Sequence, residues 1–419
     1  MKILIVNKFL YPNGGSETYI FEIGKQFVNA GHEVQYFGMD HKNRSVGNHV
    51  ESYTTEMDFH TGKIQKLLYP VRIIYSLEAR NKIKKVLEDF EPDIVHLNNF
   101  NFQLTPSIIY EIISYKKRRQ KQVVIYYTAH DYQLICPNHM MIVPSTGEKC
   151  GRCLSGEFNN CSRFRCIHDS KIKSVLGSME GYLYRYLKTY RYIETIICPS
   201  DFMKRKLDSN SLFKEKTITI HNFVNAKKYE NKQKKDYVLY FGRYSEEKGI
   251  ATLLKVCREL DDISFIFAGS GPLESEVNKV KNIQNMGFLR GDDLVKLISE
   301  ARFSIYPSEW YENCPFSIME SIGYGTPVVG ADIGGIPELV IDGSTGVLFN
   351  SGSSEDLREK IRMLWSQEKL LDKITENCKE KQFDTVEEYC NRLLYLYKRS
   401  LGGFDENSSY GFRTWKSNA

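Results

Sequence analysis

Glu312 and Glu320 bracket the stretch Glu312-Asn-Cys-Pro-Phe-Ser-Ile-Met-Glu320, with seven residues between them. An apolar run ending Ile305-Tyr-Pro-Ser precedes it, and helical periodicity follows. Glu312 is therefore expected in a loop at a strand's carboxyl end, and Glu320 about one turn into a helix. Both carboxylates then face one ligand at the helix N-terminus, where free backbone N–H groups favour phosphate. An ionised carboxylate only accepts hydrogen bonds, so a hydroxyl-rich group is its natural partner. A second cluster, Phe241-Gly-Arg-Tyr-Ser-Glu-Glu-Lys-Gly249, follows another apolar run. Arg243 and Lys248, on a turn into the next helix, supply a planar fork of donors and a mobile point charge, which together suit a diphosphate. In Asn13-Gly-Gly-Ser-Glu17, Gly14 and Gly15 allow close backbone approach to a bound group. The three spaced glycines of a dinucleotide fingerprint are missing there. His130 follows the run Val123 to Thr128, at the carboxyl end of an expected strand and so on a cleft.

Positioning these residues takes two sheets. In the first half, strands are expected at Ile3–Val6, Val34–Phe37, Asp93–Leu97, Val123–Thr128 and Thr195–Cys198. A helix from Ser16 carries Ile20, Ile23, Phe27 and Val28 on one face and stops at Gly31. The segment from Ile64 to Phe90 has helical character with a break at Pro70. The pattern restarts with strands at Tyr237–Phe241, Ser264–Ala268, Asn285–Phe288, Phe303–Tyr306, Pro327–Gly330 and Gly346–Phe349. Strands alternating with helices imply parallel sheets covered on both faces, with ligands outside the strands' carboxyl ends. The expected fold class is α/β. Residues 1–222 form one doubly wound domain, 223–236 a polar linker and 237–383 a second domain. Residues 384–401 form a helix that packs back on the first domain, and 402–419 a loose tail.

Composition limits the function classes. The 419 residues hold 42 % hydrophobic and 26 % charged residues, a globular balance. Lys and Arg number 57 against 52 Asp and Glu, a net charge of +5 that argues against a dedicated nucleic-acid binder. No apolar run approaches the roughly 18 residues that span a bilayer. Met-Lys-Ile-Leu-Ile-Val lacks the longer apolar core of a signal peptide. A cytoplasmic protein with at most peripheral membrane contact is expected.

The order of the motifs adds more. Gly-Gly after the first strand is followed by His130-Asp131, then Arg243-x4-Lys248, Phe267-Ala-Gly-Ser-Gly-Pro272, Glu312-x7-Glu320 and Gly334-Gly-Ile-Pro-Glu338. The series resembles the retaining glycosyltransferases of family 4, of the surface-polysaccharide type, over nearly the whole chain and most densely from Tyr237 to Asn350. The resemblance implies the GT-B fold, two Rossmann-like domains facing across a cleft. It also implies metal-independent transfer of a hexosyl unit from a UDP- or GDP-sugar to a saccharide or lipid-linked acceptor. Under it, Arg243 and Lys248 hold the donor diphosphate, Glu312 contacts the sugar hydroxyls, Glu320 holds the ribose, and His130 sits by the sugar. Gly14, Gly15, Gly242, Asn313, Cys314, Pro315 and Phe316 line the donor site, and the backbone near Phe288 holds the base. His130, Arg243, Lys248 and Glu312 form the catalytic set. Glu338 lies at the cleft rim or is structural. Asn313-Cys-Pro315 departs from the common Glu-Gly-Phe-Gly form and leaves donor identity open. The alternative class is a nucleotide-sugar-binding protein without catalysis.

Residues 136–168 form a cysteine-rich insert, Cys136-x13-Cys150-x2-Cys153-x7-Cys161-x4-Cys166. In a reducing compartment such a cluster points to metal rather than disulfides. A structural zinc on Cys136, Cys150, Cys153 and Cys166 is expected, with Cys161 as substitute and His139 and His168 nearby. Two segments suit an anionic lipid surface: the basic run from Lys116 to Lys121, and Tyr182 to Tyr192, which interleaves aromatics with cations.

Overall fold

The structure, a computed structural model, describes residues 1–56, 72–224 and 233–403. The expected helix start at Ile64, its break at Pro70, most of the linker and the tail from residue 404 lie outside them.

The first half builds β1 (Lys2–Val6), β2 (Glu33–Phe37), β3 (Ile94–Leu97), β4 (Val124–Thr128), the short β5 (Ile142–Val143) and β6 (Glu148–Lys149), β7 (Thr195–Cys198) and β8 (Thr217–Thr219). Six of them form a parallel sheet in the order β2-β1-β3-β4-β7-β8, and β5 and β6 pair as a separate antiparallel hairpin. The alternation of strand side chains explains the continuous apolar runs. Ile3 and Ile5 of β1 join one core, with Phe27 and Tyr397, while Leu4 and Val6 join the opposite one, with Val86 and Ile112.

The second half builds β9 (Lys235–Arg243), β10 (Phe265–Ser270), β11 (Ile283–Asn285), β12 (Ala301–Tyr306), β13 (Val328–Ala331) and β14 (Gly346–Phe349). These pair in parallel in the order β11-β10-β9-β12-β13-β14. That is the doubly wound order in which the sheet grows outward both ways from its first strand. Two doubly wound sheets with helices on both faces make the GT-B fold.

The helix Val386–Ser400 leaves the second half and packs on the first sheet. Its Tyr389, Leu393 and Tyr397 are buried in the same core as Ile3 and Tyr19. Thr385 and Glu388 close its N-terminus as a capping box.

Three sequence expectations need correction. The linker expected to reach 236 stops short of it: β9 starts at Lys235, because Ala301 of β12 pairs with that residue. The strand expected at Asn285–Phe288 lies at Ile283–Asn285. Gly287, with φ +68°, turns the chain there, and Phe288 is 72 % exposed. The edge strand β8 was not expected, because Thr-Ile-Thr is polar and only part-buried.

Candidate active site

In the second sheet the winding direction reverses between β9 and β12. The loops after these two strands diverge to opposite faces and leave a crevice, the usual ligand position in such sheets. Gly242 and Arg243 end β9, both exposed, and a single 3₁₀ turn, Glu246–Lys248, then carries Lys248. Arg243 is thus a strand-end residue and not part of the turn. Gly249 has φ +71°, and a Cβ there would meet the Pro307 carbonyl at 1.8 Å. Only glycine lets the β9 loop close against the β12 loop.

That closure joins Lys248 to Glu312. Lys248 Nζ lies 2.5 Å from Glu312 Oε1 and 3.5 Å from the Tyr306 hydroxyl. The same Oε1 accepts Ser308 Oγ at 2.8 Å and the Trp310 indole N–H at 2.5 Å. Glu312 is only 5 % exposed. Burial alone would lower the Lys248 ammonium, but the adjacent Glu312 charge overrides it and holds the group above its usual range. Gly334, with φ +64°, shapes the loop beneath, since a Cβ there would meet the Glu312 carbonyl at 2.3 Å. Glu320 sits one turn into the helix Phe316–Gly323, and burial pushes its carboxyl up to about 7.

The opposite wall comes from the first domain. Gly15 opens the helix Gly15–Asn29, and Phe316 opens the helix Phe316–Gly323. A Cβ on Gly15 would lie 3.7 Å from the Phe316 ring, so the two helix N-termini meet across the cleft. Neither Gly14 nor Pro315, their N-caps, gives a side-chain cap. Uncapped N-termini leave backbone N–H donors for an anion.

His130 follows β4 and hydrogen-bonds Asn98 Oδ1 through Nε2 at 2.9 Å. The Asn98 amide donates its Nδ2 to the carbonyls of Val6 and His96, both at 3.3 Å, which fixes its oxygen toward His130. Nε2 therefore carries the proton and Nδ1 is an acceptor. Burial pushes His130 down to about 4 against the opposing pull of Asp131, so the ring is neutral at pH 7. Its edge packs on Tyr19, with centroids 4.7 Å apart. The Tyr19 hydroxyl in turn meets Thr128 Oγ1 at 3.0 Å and Tyr389 at 2.9 Å. The C-terminal helix thereby supports the floor under His130.

The β12 loop also ties the domains together. Asn313 accepts Ser200 Oγ at 2.7 Å and donates to the Ala129 carbonyl at 2.8 Å, beside His130. Glu338 accepts the backbone N–H of Asp201 and of Phe202, each at 2.7 Å, at the start of the helix Asp201–Asp208. His221 lies 3.1 Å from the same carboxylate. Glu338 is therefore an interdomain clamp.

Of the residues named from sequence, Gly14, Gly15, His130, Lys248, Glu312 and Phe316 come together around the cleft, with Gly242, Arg243 and Glu320 on its second-domain side. Two side chains have partners within the protein. The Asn313 amide is spent on the domain bridge, and Cys314 is buried in the core, 3.6 Å from Met319 sulfur. Pro315 contributes as an N-cap without a side-chain donor. Sequence reading missed Ser308, Trp310, Tyr306 and Asn98. Trp310 had a signal, being one of only 3 tryptophans and two residues from Glu312.

Known proteins match both halves of the chain. The model described as Glycosyltransferase Family 4 matches residues 13–228, and that described as Glycosyl transferases group 1 matches residues 222–381. The chain belongs to glycosyltransferase family 4. An uncharacterized glycosyltransferase of Methanocaldococcus jannaschii is 29 % identical over 221 residues, which covers 51 % of this chain and 61 % of that relative's length. An uncharacterized 42.6 kDa protein in the cps region of Klebsiella pneumoniae is 22 % identical over 362 residues, 81 % of this chain and 87 % of that one. Anabaena HepE, solved with UDP and glucose, superposes with a TM-score of 0.63 at 17 % identity, over 94 % of this chain and 100 % of that one. For this family 4 chain the likeness to HepE shows the shared fold.

Proposed function

We propose that this family 4 chain transfers a hexosyl unit from a nucleoside-diphosphate sugar to a saccharide or lipid-linked acceptor, with retention of anomeric configuration. One observation carries the proposal: two uncapped helix N-termini meet across a cleft whose second-domain wall bears Lys248, Arg243, Glu312 and Glu320. In the reaction the bond between the anomeric carbon and the diphosphate oxygen breaks, and its electron pair leaves with the phosphate. Lys248, Arg243 and the backbone N–H groups at Gly15 and Phe316 face that growing charge. The acceptor oxygen bonds to the anomeric carbon, and its proton passes to the departing phosphate. The neutral His130 accepts a hydrogen bond from a sugar hydroxyl at Nδ1, and Glu312 accepts one from another. Glu320 accepts from the ribose. These protein charges answer the leaving group without requiring a divalent metal.

HepE's UDP and glucose make UDP-hexoses the first donors to try, and GDP-hexoses the second. The Klebsiella cps-region relative favours a surface polysaccharide as the product's destination. Incubation with UDP- and GDP-hexoses and a lipid-linked saccharide acceptor should release nucleoside diphosphate and yield a product with the donor's anomeric configuration by NMR. Tight donor binding with neither transfer nor hydrolysis would establish the non-catalytic alternative instead.

We also propose a peripheral membrane face. On the helix Lys171–Tyr186, Ile172, Val175, Met179, Tyr182 and Tyr186 are exposed at spacings of three or four residues, which puts them on one stripe. Lys171, Lys173 and Arg185 lie on the same helix, and Lys188 follows it. An apolar stripe flanked by cations suits an anionic lipid surface. Of the segment from Tyr182 to Tyr192, Tyr184 and Tyr190 are buried, so only part of it contributes. The basic run from Lys116 to Lys121 is a weaker candidate. Arg118 and Arg119 pair with Glu88, and Lys121 pairs with Asp93.

A further inference from the structure

The five cysteines of the insert, contributed by three separate stretches of chain, all line one small cavity of about 10 Å³. Cys136 follows the loop after His130, Cys150 and Cys153 follow the hairpin strand Glu148–Lys149, and Cys161 and Cys166 flank the C-terminal end of the helix Asn159–Arg163. No His, Asp or Glu lines this cavity. His139 stacks on Phe102, with centroids 4.8 Å apart, and lies 3.3 Å from Asp131. Among the described residues no three His, Cys, Asp or Glu side chains stand close enough together to hold an ion, so the thiols must draw inward to bind one.

We propose that this cavity is a structural zinc site whose ligands are Cys150, Cys153, Cys161 and Cys166. Two pairs close in sequence each bring two thiols to the same space, the arrangement by which short loops grip a tetrahedral ion. Cys161 and Cys166, five residues apart, line the same cavity as Cys150 and Cys153. Cys136, the fifth thiol, already has a partner in the cavity wall: its Sγ donates to Asn138 Oδ1 at 2.8 Å. Cys161, the substitute in the sequence-based set, thus takes the place of Cys136. Arg152 Nη1 donates to Cys150 Sγ at 3.5 Å while its Nη2 pairs with Glu148 Oε1 at 2.7 Å, which sets a cation beside one thiol. Four thiolates around a divalent ion carry a net charge of −2, which that guanidinium partly answers.

Binding forms four Zn–S bonds and releases four thiol protons to solvent, with no change of oxidation state. Four thiolates leave no open position for water, so the ion's role is structural. The insert needs such a staple. Its regular structure is two two-residue strands and one five-residue helix. Its base is joined to the cleft, where the Tyr132 hydroxyl donates to the Tyr311 carbonyl at 3.2 Å. A zinc here would hold the loop that begins just after His130 against the second domain.

The test is elemental analysis of the full chain purified without chelator, followed by exchange with cobalt(II) as a spectroscopic probe. About one zinc per chain is expected, with the strong visible absorption of tetrahedral thiolate-bound cobalt after exchange. C150S and C161S should each lose most of the metal, and C136S should keep it. Absence of zinc would overturn the site, as would iron with inorganic sulfide. Metal loss in C136S equal to that in C161S would overturn the ligand set. The cobalt spectrum of the unmutated chain remains decisive should a variant fail to fold.

Discussion

On the second-domain side of the cleft, Arg243, Lys248, Glu312 and Glu320 bring four ionisable side chains from two short stretches of chain. On the first-domain side, Ser16, Asn98, Asn99 and His130 bring a hydroxyl, two amides and a neutral ring from the start of the helix Gly15–Asn29 and the ends of β3 and β4. Asn99 Nδ2 reaches Ser16 Oγ at 3.1 Å and His130 reaches Asn98 at 2.9 Å, so this wall is knit between elements distant in sequence. The difference fits a division of labour. A leaving diphosphate develops full charge and needs fixed ions and helix N-termini, while sugar and acceptor hydroxyls need neutral groups that accept and donate.

The sharpest way to break the comparison is at Lys248. Replacing Lys248 with Met should cut transfer by roughly 100- to 1,000-fold, the scale of losing one preorganised charge partner. The structure adds a stability cost that a surface lysine on a turn would not carry. Lys248 and Glu312 side chains are 22 % and 6 % exposed, and stranding a buried carboxylate costs about 3 kcal/mol. Adding Glu312→Gln to Lys248→Met should restore much of that stability without restoring turnover. Denaturant melts beside rate assays separate the two effects. Unchanged transfer in Lys248→Met would remove it from the donor site.

The interdomain clamp should give the next largest effect. Glu338→Gln replaces a carboxylate that accepts two backbone N–H groups at 2.7 Å, and should cost about 2 kcal/mol in a chemical melt. If the clamp sets the facing of the two walls, KM for the donor rises with it. A stability loss with unaltered kinetics would make Glu338 structural alone.

Glu320 sharpens the comparison through pH. Its folded pKa is raised to about 7, and ribose hydroxyls bind the ionised form. Nucleoside diphosphate affinity should then weaken about tenfold from pH 8 to pH 6, beyond any change in a Glu320→Gln control. Stability runs the other way. A carboxyl raised above its unfolded value favours the fold below that unfolded value, and the benefit is lost as pH rises through about 7. Glu320→Gln should therefore stabilise the protein at pH 8 and not at pH 4. Parallel pH profiles in the two proteins would refute the ribose assignment.

The smallest effect concerns the membrane face. Tyr186→Glu, at a position 85 % exposed, should reduce sedimentation with anionic vesicles and leave transfer to a soluble acceptor unchanged. Equal sedimentation of both proteins would discard the stripe.

The charged wall was legible in sequence because each half is local. Arg243-x4-Lys248 and Glu312-x7-Glu320 each follow an apolar strand, so the strand periodicity places them at the carboxyl end. Their pairing was not legible, since Lys248 meets Glu312 only through the strand order that sets β9 beside β12. Asn98 was hidden for the same reason: nothing near it in sequence marks it, and only the adjacency of β3 and β4 brings it to His130. The partners of Asn313 and Cys314 were not legible either, because a motif shows which residues are close to a site and not which way their side chains point. The same limit applies to Tyr389 and Tyr397, whose spacing reads as one face of an amphipathic helix. The hydroxyls they send under the other domain follow only from its docking.

The central claim is that the charged wall recognises a nucleoside diphosphate and its sugar together. Isothermal titration of the wild-type chain and Glu312→Gln, each with UDP and with UDP-glucose, tests it most directly, with GDP and GDP-mannose as the second pair. Wild-type protein should bind one pair, and Glu312→Gln should weaken the nucleotide-sugar much more than the free diphosphate. Equal weakening of both ligands, or no binding of either pair, would contradict the claim.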